Sequence, residues 1–297
     1  MNNEYGLQKV FETELHMLKT IDGICKRNGI RYTLEAGTLI GAVREKGFIP
    51  WDDDADIIMT RDNWERFKTI AADELPESMQ LQLPYEMAKD GRFYDFIGRV
   101  VSLSSRRHAP DEKSGFFNEK INHLWIDIFV MDNIPDSRFG AAIASAGQKL
   151  LYALSLGHRK MSYVNSSKGR KLALIPFVLI GKLIPLTTLC QWKDRWSAKD
   201  KNRETSRVYV TNYPPEWFDL KLEKAWIKDI IYMKFEDTEF PVPCGYHEIL
   251  TAGYGDYMKR PDMKDRAVSH ETETEKEKEK EKETEKETEK ETESGEA

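Results

Sequence analysis

The clearest periodic pattern lies near the beginning of the chain. Between Tyr5 and Arg27, apolar residues recur every three or four positions, a spacing that predicts an amphipathic helix with one buried face. Asn28 and Gly29 follow directly, and both are favoured where a helix ends. The segment Ile30–Leu34 then predicts a short strand. The pattern therefore indicates a helix that leads into the first strand of a sheet.

Strand-like and helix-like patterns alternate along the rest of the chain. Alternating acid and apolar residues predict a strand at 54–59, and further strand candidates lie at 79–83, 93–103, 123–130 and 208–212. Helical spacing predicts helices at 39–44, at 63–75 with Asp62 as a candidate N-cap, and over much of 138–201. We therefore expect an α/β (α+β) fold in which a mixed sheet is flanked by helices and carries a helical insertion.

Composition divides the chain into two parts. Residues 1–270 contain enough apolar and aromatic residues to bury a core, so we expect one domain there. Its parts are a core at about 5–135, a helical region at about 137–200 and a C-terminal part at about 205–262. Residues 271–297 repeat Glu, Lys and Thr without an aromatic or large aliphatic residue, which predicts a disordered acidic tail.

This tail accounts for the net charge of −6. It contains 13 Glu and 6 Lys, which leaves residues 1–270 with a net charge of +1. A near-neutral folded part argues against nucleic-acid binding. Cys25, Cys190 and Cys244 are far apart and form no CxxC pair, which favours a reducing compartment. Because no basic stretch is followed by an apolar run at the N-terminus, we expect a cytoplasmic protein.

One apolar region, Leu172–Cys190, is about as long as a membrane span and reads LALIPFVLIGKLIPLTTLC. Pro176 and Pro185 interrupt it, and Lys182 lies near its middle, where a charge inside a bilayer is costly. We therefore favour a kinked pair of helices over a true span. Such a pair is either buried as a lid or interfacial, and an interfacial pair would hold the protein peripherally on the inner face of a membrane.

The strongest chemical signal is the acidic run Trp51-Asp52-Asp53-Asp54-Ala55-Asp56. If the run is extended, Asp52, Asp54 and Asp56 share one face of a strand, because alternate side chains point the same way. Crowded carboxylates repel one another unless the face is wet or a cation lies among them. Magnesium uses such carboxylates together with substrate phosphates. A solvated acidic turn is the alternative interpretation.

A fourth acid fits the same face. Asp127 lies within the apolar run Leu124–Val130, where an unpaired carboxylate is costly to bury. We expect it to project from a neighbouring strand beside Asp54 and Asp56. Two strands that present convergent acids in this way would hold one or two divalent ions, Mg²⁺ or Mn²⁺, against phosphate oxygens.

Candidate substrate-binding residues lie just upstream. Gly37 permits close approach of the backbone and Thr38 adds a hydroxyl near a helix N-terminus, which suits a phosphate group. Arg44 and Lys46 are placed to meet further phosphate charge, and Trp51 stands at the entry to the acidic run. A plain strand, turn and helix with surface cations is the alternative. No GxxxxGK[ST] or GxGxxG motif is present, so neither a P-loop nor a Rossmann site is indicated.

The run Tyr32–Met59, YTLEAGTLIGAVREKGFIPWDDDADIIM, resembles the LicD family, which includes bacterial phosphocholine transferases and fukutin-type phosphosugar transferases. The strand WIDIFVMDNIP and the late segment PVPCGYHEILTAGYGDYMKRP are similar to other parts of that family, so the resemblance covers roughly Tyr5–Pro261. It implies a nucleotidyltransferase-like fold. It also implies transfer of a phosphorylated alcohol, typically phosphocholine from CDP-choline, onto a glycan hydroxyl with release of CMP.

On this chain, the resemblance makes four acids the catalytic residues: Asp52, Asp54, Asp56 and Asp127. Asp54, Asp56 and Asp127 are then the metal ligands. Asp127 or Asp52 is the candidate to orient or deprotonate the acceptor hydroxyl. An interfacial helix at 172–190 would bring such an enzyme to a lipid-linked glycan acceptor.

The motif also departs from the family pattern. Gly37 and Thr38 match its phosphate turn and Arg44 matches its arginine, but Ala36 and Glu45 stand where many relatives have glycine and histidine. These departures put the donor or the acceptor in doubt. CDP-ribitol, CDP-glycerol, CDP-ethanolamine or an NDP-sugar are alternative donors. A non-catalytic, membrane-associated assembly protein of the same fold is a further alternative.

Aromatic residues are available to surround a quaternary ammonium group by cation–π contacts. The candidates are Trp51, Trp64, Tyr94 and Trp125. Such residues more often belong to a core than to a ligand site, so the sequence leaves the transferred alcohol open. It also leaves open the acceptor glycan and the linkage position.

Overall fold

The computed structural model describes residues 5–91, 95–105, 123–159, 168–263 and 266. The tail at 271–297 and Tyr94 lie outside the described residues. The helices are α1 (Gln8–Arg27), α2 (Ala36–Ile40), α3 (Arg61–Glu74), α4 (Pro84–Lys89), α5 (Arg138–Ser155), α6 (Lys168–Lys182), α7 (Leu186–Ser197), α8 (Lys224–Ile227) and α9 (Tyr246–Tyr254). The strands are β1 (Thr33–Leu34), β2 (Ala55–Thr60), β3 (Met79–Gln82), β4 (Gly98–Ser102), β5 (Trp125–Ile134), β6 (Arg207–Val210), β7 (Lys221–Glu223), β8 (Ile230–Phe235) and β9 (Thr238–Pro243).

Seven of the described strands form one mixed sheet. Its main order is β1-β2-β5-β4-β3, with β2 and β5 parallel and the other neighbours antiparallel. The long strand β5 takes two partners along one edge: β4 pairs with its first half and β6 with its second half, and β7 extends β6. Strands β8 and β9 form a separate hairpin. The sheet with its flanking helices confirms the predicted mixed α/β fold.

The side chain of Asn212 closes the gap between β4 and β6. Its amide nitrogen donates to the carbonyl of Ile128 (2.9 Å), and its amide oxygen accepts from the backbone nitrogen of Val130 (2.9 Å). Asn212 thereby mimics a strand peptide for backbone groups that would otherwise be buried without partners, which is costly. The sheet is continuous at this point because of one side chain.

The two faces of the sheet carry separate cores. Ala55, Ile57 and Met59 alternate along β2 and pack, with residues of β5, against α1 and α3. Ile58, on the opposite face, belongs to a second core that includes Phe129 and residues of β6. Burying one large aliphatic side chain contributes roughly 1.5–3 kcal/mol, so the two layers position the strands firmly. Asp56 and Asp127 lie on the face of the second core.

Several predicted boundaries differ from the structure. The strand expected at 30–34 is only Thr33–Leu34, because Gly29 (φ 59°) turns the chain and the Ile30 nitrogen donates back to the Cys25 carbonyl (2.9 Å). The N-cap of α3 is Thr60 and not Asp62. The strand expected at 93–103 is shorter, Gly98–Ser102, and the expected turn at 36–38 is the first turn of α2.

The helical region contains α5, α6 and α7, as expected. Pro176 lies inside α6, and the helices Leu172–Lys182 and Leu186–Asp200 meet at an angle of 108°. This is the predicted kinked pair. In the described part of the chain, no single helix is long and apolar enough to cross a membrane. The two helices of the bent pair together have the length and apolar composition of a span.

A lysine is buried where the helical region meets the sheet. The ammonium group of Lys193 on α7 donates to the side-chain oxygen of Gln148 and the carbonyl of Thr211, and it lies over the rings of Phe96 and Phe218. Burial lowers the pKa of Lys193 from 10.5 to about 7, against the charges of nearby aspartates that raise it. The folded protein therefore releases this proton more readily than the unfolded chain.

This shift predicts a pH-dependent stability difference between the wild type and Lys193→Met. Above pH 7 the unfolded wild-type chain binds a proton that the folded form does not, so wild-type stability relative to the variant rises with pH. The rise approaches about 1.4 kcal/mol per pH unit up to the unfolded pKa. Urea unfolding at several pH values from 6 to 9 measures it. A stability difference that does not change with pH over this range contradicts the lowered pKa of Lys193. Lys149→Met, at an exposed lysine, is the control, and its stability difference from the wild type should not change with pH.

Candidate active site

The acidic run is not a strand along its whole length. Strand β2 begins at Ala55, so Asp52–Asp54 lie in the preceding segment, where the Asp52 nitrogen donates to the Ile49 carbonyl (3.0 Å). Strand alternation therefore does not align Asp52 and Asp54 with Asp56, because both residues precede the strand. Asp53 is fully buried, whereas Asp52 and Asp54 are partly buried.

Asp56 and Asp127 lie side by side on parallel strands. The register pairs them directly, and both point to the face opposite the core of Ile57 and Ile128. Both side chains are buried. The predicted juxtaposition of these two acids from neighbouring strands is therefore present in the fold.

Arg99 is the partner of Asp127. Its guanidinium donates to both carboxylate oxygens (2.5 and 3.3 Å), and it lies over the ring of Trp125 at 4.2 Å. The sequence prediction missed Arg99, although it lies directly opposite Asp127 in the antiparallel pair of β4 and β5. This ion pair explains how a carboxylate is tolerated within a buried strand.

Glu35 is a further acid that the sequence prediction did not select. It is buried, its backbone nitrogen donates to the Asp56 carbonyl (3.1 Å), and its carboxylate accepts from the hydroxyl of Tyr213. Burial raises the pKa of Glu35 to about 7, although the Tyr213 hydroxyl and the Ala36 nitrogen oppose the rise. Its position just before the Gly37-Thr38 turn was the available signal.

The acids influence one another strongly. Burial is the first cause that raises the pKa of Asp56, and the negative charges of Asp54, Asp127, Asp52 and Glu35 raise it further. Burial and the neighbouring Asp54 likewise raise the pKa of Asp52. The site is therefore a region of concentrated negative potential that favours a cation.

The predicted phosphate turn makes contacts to the acids themselves. The buried Thr38 hydroxyl accepts from the Asp56 backbone nitrogen (2.8 Å). A Cβ atom on residue 37 would lie 2.3 Å from a carboxylate oxygen of Asp52, so Gly37 provides the space that this carboxylate occupies. In this structure, Gly37 and Thr38 position Asp52 and Asp56, and their contact with a phosphate stays a prediction.

Three other predicted binding residues are also engaged within the protein. Arg44 donates to Glu45 (2.7 Å) and to the Tyr257 carbonyl (2.8 Å). Lys46, in a left-handed conformation (φ 66°), donates to the Val43 carbonyl (3.0 Å). Trp51 is buried and lies beneath the guanidinium of Arg44 at 6.0 Å. The contact of Arg44, Lys46 and Trp51 with substrate stays a prediction.

The donor atoms suit Mg²⁺ or Mn²⁺, since carboxylate oxygens are the ligands that these ions prefer. Among the residues that the structure describes, no three or more His, Cys, Asp or Glu side chains are arranged to hold a metal ion. Asp54, Asp56 and Asp127 are thus no preformed three-ligand site. In phosphate-transfer sites Mg²⁺ usually takes one or two carboxylates plus substrate phosphates, so the crowded acids still fit such an ion.

The C-terminal part of the chain closes over this region. Besides the contact of Tyr257 with Arg44, Arg260 forms an ion pair with Glu45. Tyr254, at the end of α9, is close enough for the charges of the acids to raise the pKa of its hydroxyl, with burial as the first cause. The late segment noted in the sequence therefore contributes to the site.

Comparisons with known proteins show which proteins this chain is similar to. Residues 29–142 match the family described as "LicD/FKTN/FKRP, nucleotidyltransferase domain". The lipopolysaccharide cholinephosphotransferase LicD of Haemophilus influenzae is 29% identical over 270 residues, which cover 87% of this chain and 94% of that protein. An uncharacterised protein of Rickettsia prowazekii is 49% identical over 74 residues, covering 24% of this chain and 26% of that protein. Residues 29–142 of this chain are therefore a LicD-family nucleotidyltransferase domain.

Proposed function

We propose that this phosphotransferase moves phosphocholine from CDP-choline onto a hydroxyl group of a cell-surface glycan and releases CMP. The observation that carries the proposal is the pairing of Asp56 with Asp127 on parallel strands, with Asp52 and Asp54 at the entry to the first strand. The name of the Haemophilus relative supports choline phosphate as the transferred group and lipopolysaccharide as the acceptor class.

In the reaction, the acceptor oxygen forms a bond to the phosphorus that carries choline. The bond from that phosphorus to the bridging oxygen breaks, and CMP leaves with the electron pair. The hydroxyl proton passes to a carboxylate. Asp52 is the better candidate for this role, because Arg99 engages both carboxylate oxygens of Asp127.

The remaining residues position these groups. Gly37 leaves room for the Asp52 carboxylate, and Thr38 holds the backbone at Asp56. Arg99 pairs with Asp127 through both carboxylate oxygens and thereby orients that carboxylate. When bound, a Mg²⁺ or Mn²⁺ ion held by Asp54 and Asp56, with Asp127 beside them, would supply positive charge to the donor phosphates.

The test is CMP release from CDP-choline with Mg²⁺ or Mn²⁺ and a panel of glycan acceptors. We expect release that depends on the divalent ion and stops on addition of EDTA. Release from CDP-ribitol, CDP-glycerol or CDP-ethanolamine alone would keep the reaction type and replace the donor. No release from any donor, together with no divalent-ion binding, would favour the non-catalytic alternative.

The predicted apolar region has a face that the described structure leaves exposed. It includes large side chains of α5 and of the kinked pair, each at least 44% exposed: Phe139, Ile143, Leu150, Leu172, Ile175, Leu179, Ile180, Leu183 and Trp192. Exposed large apolar side chains on helices that pack together indicate an interaction surface. Lysine and arginine residues precede the apolar region in the sequence, at 168, 170 and 171, and Lys182 lies within it. We propose that this face binds peripherally to an anionic lipid surface, where a glycan acceptor is lipid-linked.

Flotation with anionic liposomes tests this membrane proposal. Wild-type protein should float, and Leu179→Glu combined with Leu183→Glu should stay at the bottom, because both side chains are exposed and their loss leaves the fold intact. Ile231→Glu, an exposed position on the separate hairpin, is the matched control and should float. Wild-type protein that stays at the bottom, or that instead dimerises through this face, contradicts the proposal.

A further inference from the structure

The aromatic residues suggested by the sequence as a choline site are already used within the protein. A ring face that is covered by a protein cation is unavailable to the cation of a ligand. The three described candidates each lie beneath such a group: Trp51 beneath Arg266 (4.8 Å), Trp64 beneath Lys68 (5.7 Å) and Trp125 beneath Arg99 (4.2 Å). The fourth, Tyr94, lies outside the described residues.

A different row of aromatic residues begins at the acids. The Tyr213 hydroxyl donates to Glu35, and the Tyr213 ring contacts Trp217 at a centroid distance of 6.1 Å. Trp217 in turn contacts Tyr254, at 5.5 Å and an interplanar angle of 42°. Tyr213 is buried, Trp217 is partly buried and Tyr254 is 45% exposed. The row therefore leads from the acid cluster to the surface, and its outer two rings are tilted toward each other.

This row lies in a strongly negative field. Glu35, which accepts from the Tyr213 hydroxyl, donates from its backbone nitrogen to the Asp56 carbonyl (3.1 Å), so the row adjoins the acid-bearing strand. After burial, the charges of Glu35, Asp56, Asp52 and Asp54 raise the pKa of the Tyr254 hydroxyl, in agreement with this placement. Within the described ranges, no lysine or arginine lies over the ring of Trp217 or Tyr254. Two partly exposed rings that carry no protein cation, in a row that begins at a buried carboxylate, are a suitable environment for an organic cation.

We propose that Trp217 and Tyr254 form the subsite that holds the trimethylammonium group of the choline donor. The inference rests on the proposed function and deepens it. A quaternary ammonium has no proton to donate and is weakly hydrated, so aromatic faces are its usual protein partners. Ribitol and glycerol are uncharged and would gain no cation–π attraction. The row therefore favours choline over those alcohols.

The experiment measures binding and does not need turnover. Trp217→Leu and Tyr254→Leu should each weaken phosphocholine binding by about 10-fold in titration calorimetry and leave CMP binding unchanged. Tyr254→Phe keeps the ring and should bind phosphocholine within about 2-fold of the wild type. Tyr232→Leu removes an aromatic of similar exposure (47%) on the separate hairpin and should have no effect. Circular dichroism confirms that each variant is folded.

The outcomes separate this inference from the proposed function. Wild-type protein that does not bind phosphocholine overturns the subsite, as do Leu variants that bind it as tightly as the wild type. If CDP-choline turnover persists in that case, the proposed function stands. Ring-dependent phosphocholine binding without any CMP release supports the subsite and overturns the proposed function.

Discussion

Asp54→Asn is expected to lower CMP release from CDP-choline by at least about 100-fold, the size of effect seen when one electrostatic contact to a developing charge is lost. Asp54 is partly buried at the entry to β2, and its charge is among those that raise the pKa of Asp56 and Asp52. Asparagine keeps the shape and removes the negative charge. Steady-state CMP release measures the effect, and calorimetry of Mg²⁺ binding gives an independent readout.

Asp73→Asn is the matched control, since it removes an exposed aspartate from α3. It should retain wild-type activity. Unchanged thermal unfolding of Asp54→Asn would show that a lost activity reflects the site and not the fold. Wild-type turnover by Asp54→Asn would remove this residue from the proposed chemistry.

The largest expected effect on stability is that of Arg61→Met. The Arg61 guanidinium binds both carboxylate oxygens of Asp132 (2.8 and 2.6 Å), and both side chains are buried. It also binds Asp194 (2.8 Å), which links α3, β5 and α7. Removal leaves the buried Asp132 carboxylate without this ion pair, although it still accepts a hydrogen bond from the Thr211 hydroxyl (2.7 Å). Breaking a buried ion pair on one side costs roughly 3–5 kcal/mol.

Chemical unfolding of Arg61→Met measures this loss of stability. Arg27→Met is the control, because Arg27 forms an exposed pair with Glu74 (2.8 Å) whose removal should change stability by less than about 1 kcal/mol. Equal effects of the two substitutions would contradict the importance of burial. A loss of several kcal/mol confined to Arg61→Met would identify Arg61, through its pairs with Asp132 on β5 and Asp194 on α7, as the link between the sheet and the helical region.

Local periodicity in the sequence determined the elements that hold the site. The apolar spacing of α1 and the alternation in β2 and β5 were sufficient, because side-chain direction within a helix or strand depends only on near neighbours. The buried position of Asp127 within an apolar strand likewise predicted a partnered carboxylate. These features placed Asp56 and Asp127 each on a defined face of its own strand, whereas their side-by-side position depends on the parallel register of β2 and β5.

Tertiary structure decided which residues meet these acids. Glu35 contacts Tyr213, 178 positions away, and Arg99 reaches Asp127 only because the chain returns as an antiparallel neighbour. The proposal of Tyr254 rather than Trp51 for the choline subsite likewise depends on tertiary structure, because Arg266 lies over the Trp51 ring. No local pattern records such pairings, because they depend on strand register and on how distant segments return to the sheet. The sequence by itself therefore determined the acid-bearing strands, and only the tertiary structure decided their partners.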